Sequence, residues 1–238
     1  MNDVRQNTSG AASAAPTTAD TVRGRVLVLL ILTALLHVIY PVTLSGDSAS
    51  LIAYNVLYAG MFLAGIVIAS DSRRHLIVTV VIALAWLVMA VLYALDPANT
   101  GKVLATYLAL GAFQAALVWL LLRYIFRARA VTGDVLYAAI TVYILIGALF
   151  VPVYGTLELL APGAFVDNAT GQPVFWQQFI YFSLVTLTTS GYGDILPVSG
   201  WARAVANIEQ VVGVLYIAIL MARLVGLYSQ PQVSGGTS

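Results

Sequence analysis

The stretch Thr186-Leu187-Thr188-Thr189-Ser190-Gly191-Tyr192-Gly193-Asp194 lies between two long apolar segments late in the chain. A dehydrated cation needs rings of oxygen atoms in place of its water, and consecutive backbone carbonyls supply them if they all turn to one side. Glycine reaches positive φ without steric cost, so Gly191 and Gly193 stand where the chain must change handedness. We therefore predict an ion selectivity filter, with the Thr189 hydroxyl at its inner end. An ordinary glycine-rich turn is the competing interpretation.

The run Thr-x-x-Thr-x-Gly-Tyr-Gly-Asp over residues 186–194, followed by Pro197, resembles the signature of the potassium channel superfamily. The resemblance implies a filter built from Thr189, Ser190, Gly191, Tyr192 and Gly193, with K⁺ held at the first four of these residues. Ser190 stands where the family usually has valine or isoleucine. Its side chain can form hydrogen bonds behind the filter, which leaves a weakly selective cation channel as an alternative.

The composition is that of an integral membrane protein. Hydrophobic residues make up 61% of the 238 residues and charged residues 9%, and the mean hydropathy is +0.92. Soluble domains carry about 25% charged residues. The absence of cysteine excludes disulfides and thiolate chemistry, and a net charge of +1 with no basic tract gives no indication of nucleic-acid binding. No hydrolase or metalloprotease motif is present, so we predict neither an enzyme nor a cofactor other than K⁺ as the permeant ion.

The apolar segments predict an all-α membrane protein with six transmembrane helices and a re-entrant pore helix. A helix needs about 20 apolar residues to cross a hydrocarbon core of about 30 Å, and backbone groups in lipid must bond internally. The predicted spans are residues 26–44, 51–69, 76–95 and 103–122, a fifth from 135 to about 152 or slightly beyond, and a sixth from about 204 to 227. Between the last two, residues 154–201 suit a segment that enters the membrane and returns.

Composition and the predicted spans divide the chain into four parts. Residues 1–22 are predicted to be a disordered tail, 23–130 a four-helix front domain, 131–228 the pore domain, and 229–238 a short polar tail. Both tails, and hence both termini, are predicted to be cytoplasmic in a multi-pass protein of the cell membrane, because positive charges concentrate on one side. Nine lie there and two opposite: Arg5, Arg23, Arg25, Arg73, Arg74, Arg123, Arg127, Arg129 and Arg223, against Lys102 and Arg203.

Several side chains around the filter are predicted to support it. Residues 173–189, PVFWQQFIYFSLVTLTT, are interpreted as the pore helix, whose C-terminal dipole end favours a cation. The resemblance implies that Tyr181 and Phe182 pack around Tyr192 and that Asp194 bonds to the pore helix, although interfacial aromatics and a solvated carboxylate are open alternatives. Glu209, an acidic residue within an apolar span, needs a partner such as Ser183 or Thr186. The predicted supporting residues are Thr186, Thr188, Tyr181, Phe182, Asp194 and Glu209.

Gly213 in the sixth span lies close to where many family members carry a hinge glycine, and close packing of small residues is an equal alternative. Six spans with one pore loop resemble the voltage-gated branch of the family. Residues 103–122 nevertheless hold no charge, so we expect little voltage dependence. One chain carries one filter segment, so a ring of carbonyls implies a homotetramer in the lipid bilayer. The predicted function is passive potassium conduction. A potassium transporter subunit is a further alternative.

Overall fold

The computed structural model describes residues 18–45, 48–70, 72–96 and 98–228. The predictions for residues 1–17 and 229–238 lie outside the described residues. Residues 18–22, which we expected to be disordered, instead form the first turn of helix α1, Thr18–Ile39.

The front half contains four helices in the predicted order. After α1, a 3-10 helix spans Tyr40–Ser45, and α2 (Ser48–Ala69), α3 (Arg73–Leu95) and α4 (Thr100–Arg127) follow. The first span was expected to remain helical to residue 44, but the α-helix ends at Ile39. Pro41 lacks the N–H that would continue the α-helical bonding, so the chain tightens there.

The pore half consists of two long helices and the re-entrant segment. Helix α5 spans Gly133–Leu160, α6 spans Gln178–Leu187 and α7 spans Gly200–Tyr228. The pore helix α6 begins five residues later than predicted, because residues 173–177 form a bridge and a turn in which the Gln178 side chain accepts the Phe175 N–H at 2.7 Å. Two short strands were not predicted. Strands β1 (Phe165–Asp167) and β2 (Ile195–Pro197) pair antiparallel on either side of α6 and the filter.

Five of the described helices are long and apolar enough to cross a membrane. They are Gly24–Leu44, Arg73–Tyr93, Thr100–Arg127, Gly133–Leu160 and Gly200–Leu227. The described apolar part of α2, Asn55–Ala69, is shorter than the length of a span. The chain is therefore a multi-pass, mainly helical membrane protein, with five of the six predicted spans supported by length and composition.

Two aromatic clusters hold the helices together. In the front half, the Phe62 ring stacks on Phe113 at 3.7 Å and on Trp86 at 4.4 Å, which joins α2, α3 and α4. In the pore half, Phe165 contacts the rings of Tyr154 and Phe179 at 5.3 and 4.9 Å. This second cluster fixes α6 against α5, and so sets the position of the segment that follows α6.

Candidate functional site

The predicted filter follows α6 directly, and its backbone alternates in handedness. The φ angle is +58° at Thr189, +55° at Gly191 and +77° at Gly193, while the intervening Ser190 and Tyr192 have negative φ. Alternation of left- and right-handed residues turns successive N–H groups to one side of the chain and the carbonyls to the other. The glycines were predicted at such positions. The positive φ at Thr189 was not predicted, because a β-branched residue rarely adopts it.

Hydrogen bonds hold the filter by its amides. The N–H groups of Thr189 and Ser190 donate to the carbonyls of Thr186 and Val185, both at 2.9 Å, at the end of α6. Within the described part of the chain, no donor bonds the carbonyl oxygens of residues 189–192, and these residues are exposed. A backbone anchored on its amide side and free on its carbonyl side can offer oxygens to a dehydrated cation.

The Ser190 hydroxyl has a partner in the same segment. Its Oγ lies 2.9 Å from Thr188 Oγ1, which itself donates to the Leu184 carbonyl at 2.7 Å. Because each hydroxyl carries one hydrogen, Ser190 is then the donor to Thr188. Thr186 is buried and serves through its backbone carbonyl. Ser190 thus bonds to the last turn of the pore helix, which a valine or isoleucine cannot do.

Tyr181 on α6 contacts two residues of the filter's outer end. Its hydroxyl donates to Asp194 Oδ2 at 2.6 Å, and its ring stacks on that of Tyr192 with centroids 6.5 Å apart and planes 10° from parallel. The other Asp194 oxygen accepts the Ile195 N–H at 3.0 Å. Asp194 is therefore bonded to the pore helix, in the manner that the family resemblance implied.

Phe182 lies elsewhere than we expected. It is buried within the chain, where its ring meets Tyr154 edge-on at 5.1 Å and Phe165 at 5.5 Å. Consecutive residues on a helix point about 100° apart, so Tyr181 and Phe182 face different neighbours. The prediction that both pack around Tyr192 is corrected accordingly: Tyr181 has this contact, and Phe182 packs α6 against α5 and β1.

Asn168 is a supporting residue that the sequence reasoning did not identify. Its backbone N–H donates to the Asp194 carbonyl at 2.7 Å, and its side-chain Nδ2 donates to the Gly193 carbonyl at 3.2 Å. Both bonds extend the pairing of β1 with β2 up to the outer end of the filter. Asn168 also begins the sequon Asn-Ala-Thr, a pattern that indicates a site for a sugar and not this contact.

The turn that presents Asn168 is stabilised by Asp167. Its Oδ1 accepts the N–H groups of Thr170 and Ala169 at 3.0 and 2.9 Å. These bonds, that from Thr170 foremost, lower the pKa of the Asp167 carboxyl below its usual value of 3.8. The ionised carboxylate is therefore part of the folded turn.

Glu209 is fully buried between α5, α6 and α7. Of the hydroxyls that the sequence suggested as partners, Ser183 contacts it, with Oγ 2.5 Å from Glu209 Oε1 and 2.6 Å from the Gly147 carbonyl. A partner that the sequence did not suggest, Tyr154, donates its hydroxyl to Glu209 Oε2. The carboxyl group thus links the pore helix to both long helices, and both of its oxygens are bonded.

Gly213 lies where α7 crosses the end of the pore helix. A Cβ atom at this position would stand 2.3 Å from the backbone oxygen of Leu187 and 2.9 Å from its Cδ1. Such an approach is possible only for glycine. The structure therefore gives Gly213 a packing role, and the hinge stays a prediction.

Arg223, near the end of α7, connects the pore half to the front half. Its guanidinium donates to the carbonyls of Ile125, Phe126 and Ala128 at 3.1, 2.7 and 2.9 Å, and lies 5.2 Å from the Phe126 ring centroid. A cation that bonds the last carbonyls of a helix is favoured by the helix dipole. From the sequence, Arg223 was expected only to mark the cytoplasmic side.

A short helix that ends at a segment of unbonded carbonyls, held between two long apolar helices, is the arrangement expected for the pore domain of an ion channel. The comparisons agree, since the family described as "Ion channel" matches residues 139–230. An inward rectifier potassium channel, Kirbac3.1 of Paramagnetospirillum magnetotacticum, is 28% identical over 89 residues. Residues 139–230 are therefore similar to an ion channel family, and the similarity to a potassium channel supports the resemblance that the filter motif indicated.

The extent of the similarity is limited. The aligned region covers 37% of this chain and 28% of the inward rectifier, so the chain spans less than a third of that relative's length. No solved structure shows a significant match to the chain. The family match begins in α5, and the front half lies outside it.

Proposed function

We propose that the protein conducts potassium ions passively and selectively across the cell membrane, as a homotetramer around one filter. The observation that carries the proposal is the segment 189–192, whose carbonyl oxygens accept no hydrogen bond within the described chain, while the amides of residues 189–191 donate to α6. Such oxygens replace the hydration shell of a dehydrated cation. The potassium channel named among the relatives supports K⁺ as that cation.

Two observations support the proposed tetramer: the number of carbonyls that one chain supplies, and the exposed surface of α7. One chain contributes one carbonyl at each level of the filter, and a ring around an ion needs several copies about an axis. Residues 188–192 are exposed in the single chain, as are apolar side chains along α7 such as Val211, Val214 and Ile217. Neighbouring copies of α7 would cover part of this surface, and lipid the remainder.

The orientation and the gating are proposed from the charge pattern. The positive-inside rule places both termini in the cytoplasm and the Gly193 end of the filter outside. Because residues 103–122 of α4 carry no charge, little charge moves in the membrane field, which supplies about 2.3 kcal/mol per charge per 100 mV. The open probability is therefore expected to change little with voltage.

The test is a flux assay on the purified protein in liposomes. The wild type should carry K⁺ in preference to Na⁺, and Gly191→Ala or Gly193→Ala should abolish the flux, since alanine is strained at φ of +55° or +77°. Gly163→Ala is the matched control, because it imposes the same strain at φ +83° in open space away from the filter. Normal flux in both filter variants would refute the proposal.

The bond from Ser190 to Thr188 supports a second candidate, a weakly selective monovalent cation channel. A hydroxyl contact replaces the aliphatic packing that the family usually has behind the filter. The two candidates differ in the reversal potential when external K⁺ is exchanged for Na⁺. A large negative shift of the reversal potential favours the selective channel. A reversal potential that barely moves in the wild type, together with a large negative shift in Ser190→Val, favours the weakly selective one.

A further inference from the structure

A cleft between α3 and α4 lies in the front half, outside the region that matches the channel family. Its volume is about 320 Å³. Its polar end is lined by Arg74, His75 and Arg123, and its apolar side by Val78, Trp119 and Leu120. The positive-inside rule assigns the arginine end to the cytoplasmic boundary of the membrane.

The two arginines bring positive charge into the cleft. Arg123 is held in place, since its guanidinium carbon lies 5.5 Å from the centroid of Trp119 and its Nη1 lies 3.5 Å from His75 Nε2. His75 in turn meets Trp119 edge-on at 5.2 Å. No carboxylate of the described residues lies within ion-pair distance of Arg74 or Arg123. Oriented guanidinium groups without a carboxylate partner are suited to phosphate.

The start of α3 adds to the positive field of this end. The helix begins at Arg73, its first turn contains no acidic residue, and the Ser72 side chain does not cap it. The first N–H groups of a helix have no partner inside the helix and carry the positive end of its dipole. Arg74 and His75 belong to this first turn. The free N–H groups at the start of α3 therefore lie at the same end of the cleft as Arg74 and Arg123.

The apolar side of the cleft is open to the surroundings. Val78 is 47% exposed and Trp119 is 51% exposed, on the surfaces of two helices that are each long and apolar enough to span a membrane. From Arg123 back to Ala116, also in the lining, the cleft extends about 10 Å along α4. A cationic end followed by an apolar wall of this depth matches a phosphate with attached acyl chains better than a free anion.

We infer that the α3–α4 cleft binds the phosphate-bearing headgroup of an anionic membrane phospholipid, with its acyl chain along Val78, Trp119 and Leu120. The competing view of these arginines is that they merely anchor the helix ends at the membrane surface. Simple anchoring depends on the number of charges at the surface, whereas a binding site depends on which arginines carry them. The two views are therefore separable by variants of equal charge.

The experiment measures lipid binding to the purified full chain in detergent by native mass spectrometry. Dioleoyl-phosphatidylglycerol is titrated in parallel with dioleoyl-phosphatidylcholine, and in a second arm inorganic phosphate is added at millimolar concentration. The cleft variant is Arg74→Gln/Arg123→Gln. Its matched control is Arg127→Gln/Arg129→Gln, which removes the same charge at exposed positions of the same membrane side, outside the cleft.

The wild type should bind phosphatidylglycerol more tightly than phosphatidylcholine, and the cleft variant should lose this binding by about tenfold more than the control variant. Equal losses in the two variants would show that only the number of surface charges matters, and would overturn the inference. Displacement of the lipid by inorganic phosphate, without any preference for phosphatidylglycerol, would assign the site to a soluble anion and also overturn it.

A second measurement requires no arginine variant. Brominated phosphatidylglycerol should quench a component of the tryptophan fluorescence that Trp119→Phe removes, and brominated phosphatidylcholine at the same mole fraction should quench that component less. Equal quenching by the two lipids would indicate ordinary lipid contact and contradict a selective site. Neither measurement depends on ion conduction. Failure of the lipid inference can therefore be distinguished from failure of the proposed function.

Discussion

Replacing Gly213 by alanine should destabilise the pore domain. The new Cβ would stand 2.3 Å from the Leu187 backbone oxygen, whereas ordinary contacts begin at 3.4 Å, so α7 and the end of α6 must separate by about 1 Å. A rotation of this carbonyl would also give up its long hydrogen bond from the Tyr143 hydroxyl, at 3.4 Å. Overpacking of this kind costs about 1–3 kcal/mol, with a backbone contact at the upper end.

The helix itself gains from the same change. Alanine is favoured over glycine in a helix by about 1 kcal/mol, so the expected net loss for Gly213→Ala is about 2 kcal/mol. For a chain of this size that corresponds to a melting midpoint lower by about 4–8 °C. Gly226→Ala is the matched control in the same helix, since its Cβ meets nothing within 4 Å, and it should melt at or above the wild-type midpoint.

The assay is thermal melting of the purified protein in detergent, followed by flux in liposomes. Because Leu187 directly precedes the filter segment, Gly213→Ala should also reduce potassium flux, and Gly226→Ala should not. A Gly213→Ala protein with the melting midpoint of the wild type but an altered open probability would refute the packing argument and support the hinge.

Further substitutions test the other contacts around the pore. Asn168→Ala should raise the Na⁺ to K⁺ permeability ratio, because the Gly193 carbonyl loses its hydrogen bond from Asn168 Nδ2. Thr170→Ala removes the sequon but keeps this hydrogen bond, and should match the wild type in reversal potential. Tyr154→Phe leaves a buried carboxyl oxygen without its donor, so the melting midpoint should fall by an amount equivalent to about 1–3 kcal/mol; an unchanged midpoint would contradict the contact. Arg223→Gln releases the carbonyls at the end of α4, and should change the open probability without altering selectivity. For Asp167 the folded pKa lies below 3.8, so its carboxylate stabilises the turn above that pH and the contribution is lost as the pH falls through the folded value; hydrogen exchange of the turn amides should show this acid loosening, and Asp167→Asn should abolish it.

Most of the spans and the backbone conformation of the predicted filter could be predicted from the sequence, because each is a local pattern. Apolar length alone indicated the long helices, and the spacing of Gly191 and Gly193 indicated the change of backbone handedness. The boundaries were less certain, since the helical hydrogen bonding of α5 continues well past residue 152, to Leu160. Local sequence patterns predict the type of a structural element better than they predict the residue at which it ends.

The supporting contacts were largely inaccessible because they join residues far apart in the chain. Tyr154 and Glu209 are 55 residues apart, and Arg223 bonds carbonyls up to 98 residues away. Strands of three residues are too short to show an alternating pattern, so the β1–β2 pair left no signal. For Phe182 the error was a contact that the structure does not show. The family resemblance implied packing at the filter, whereas the position of Phe182 on α6 directs its ring toward the core.

In the proposed channel, the pairing of β1 with β2 couples the loop around Asn168 to the outer end of the filter. A molecule that grips residues 165–172, whether an antibody, a venom peptide or a sugar on the Asn168 amide, would pull on the Gly193 and Asp194 carbonyls without entering the pore. Inhibitors raised against this loop would act by deforming the filter rather than by plugging it. Because an ion bound in the filter would stabilise its undeformed conformation, a high concentration of the permeant ion should oppose this block.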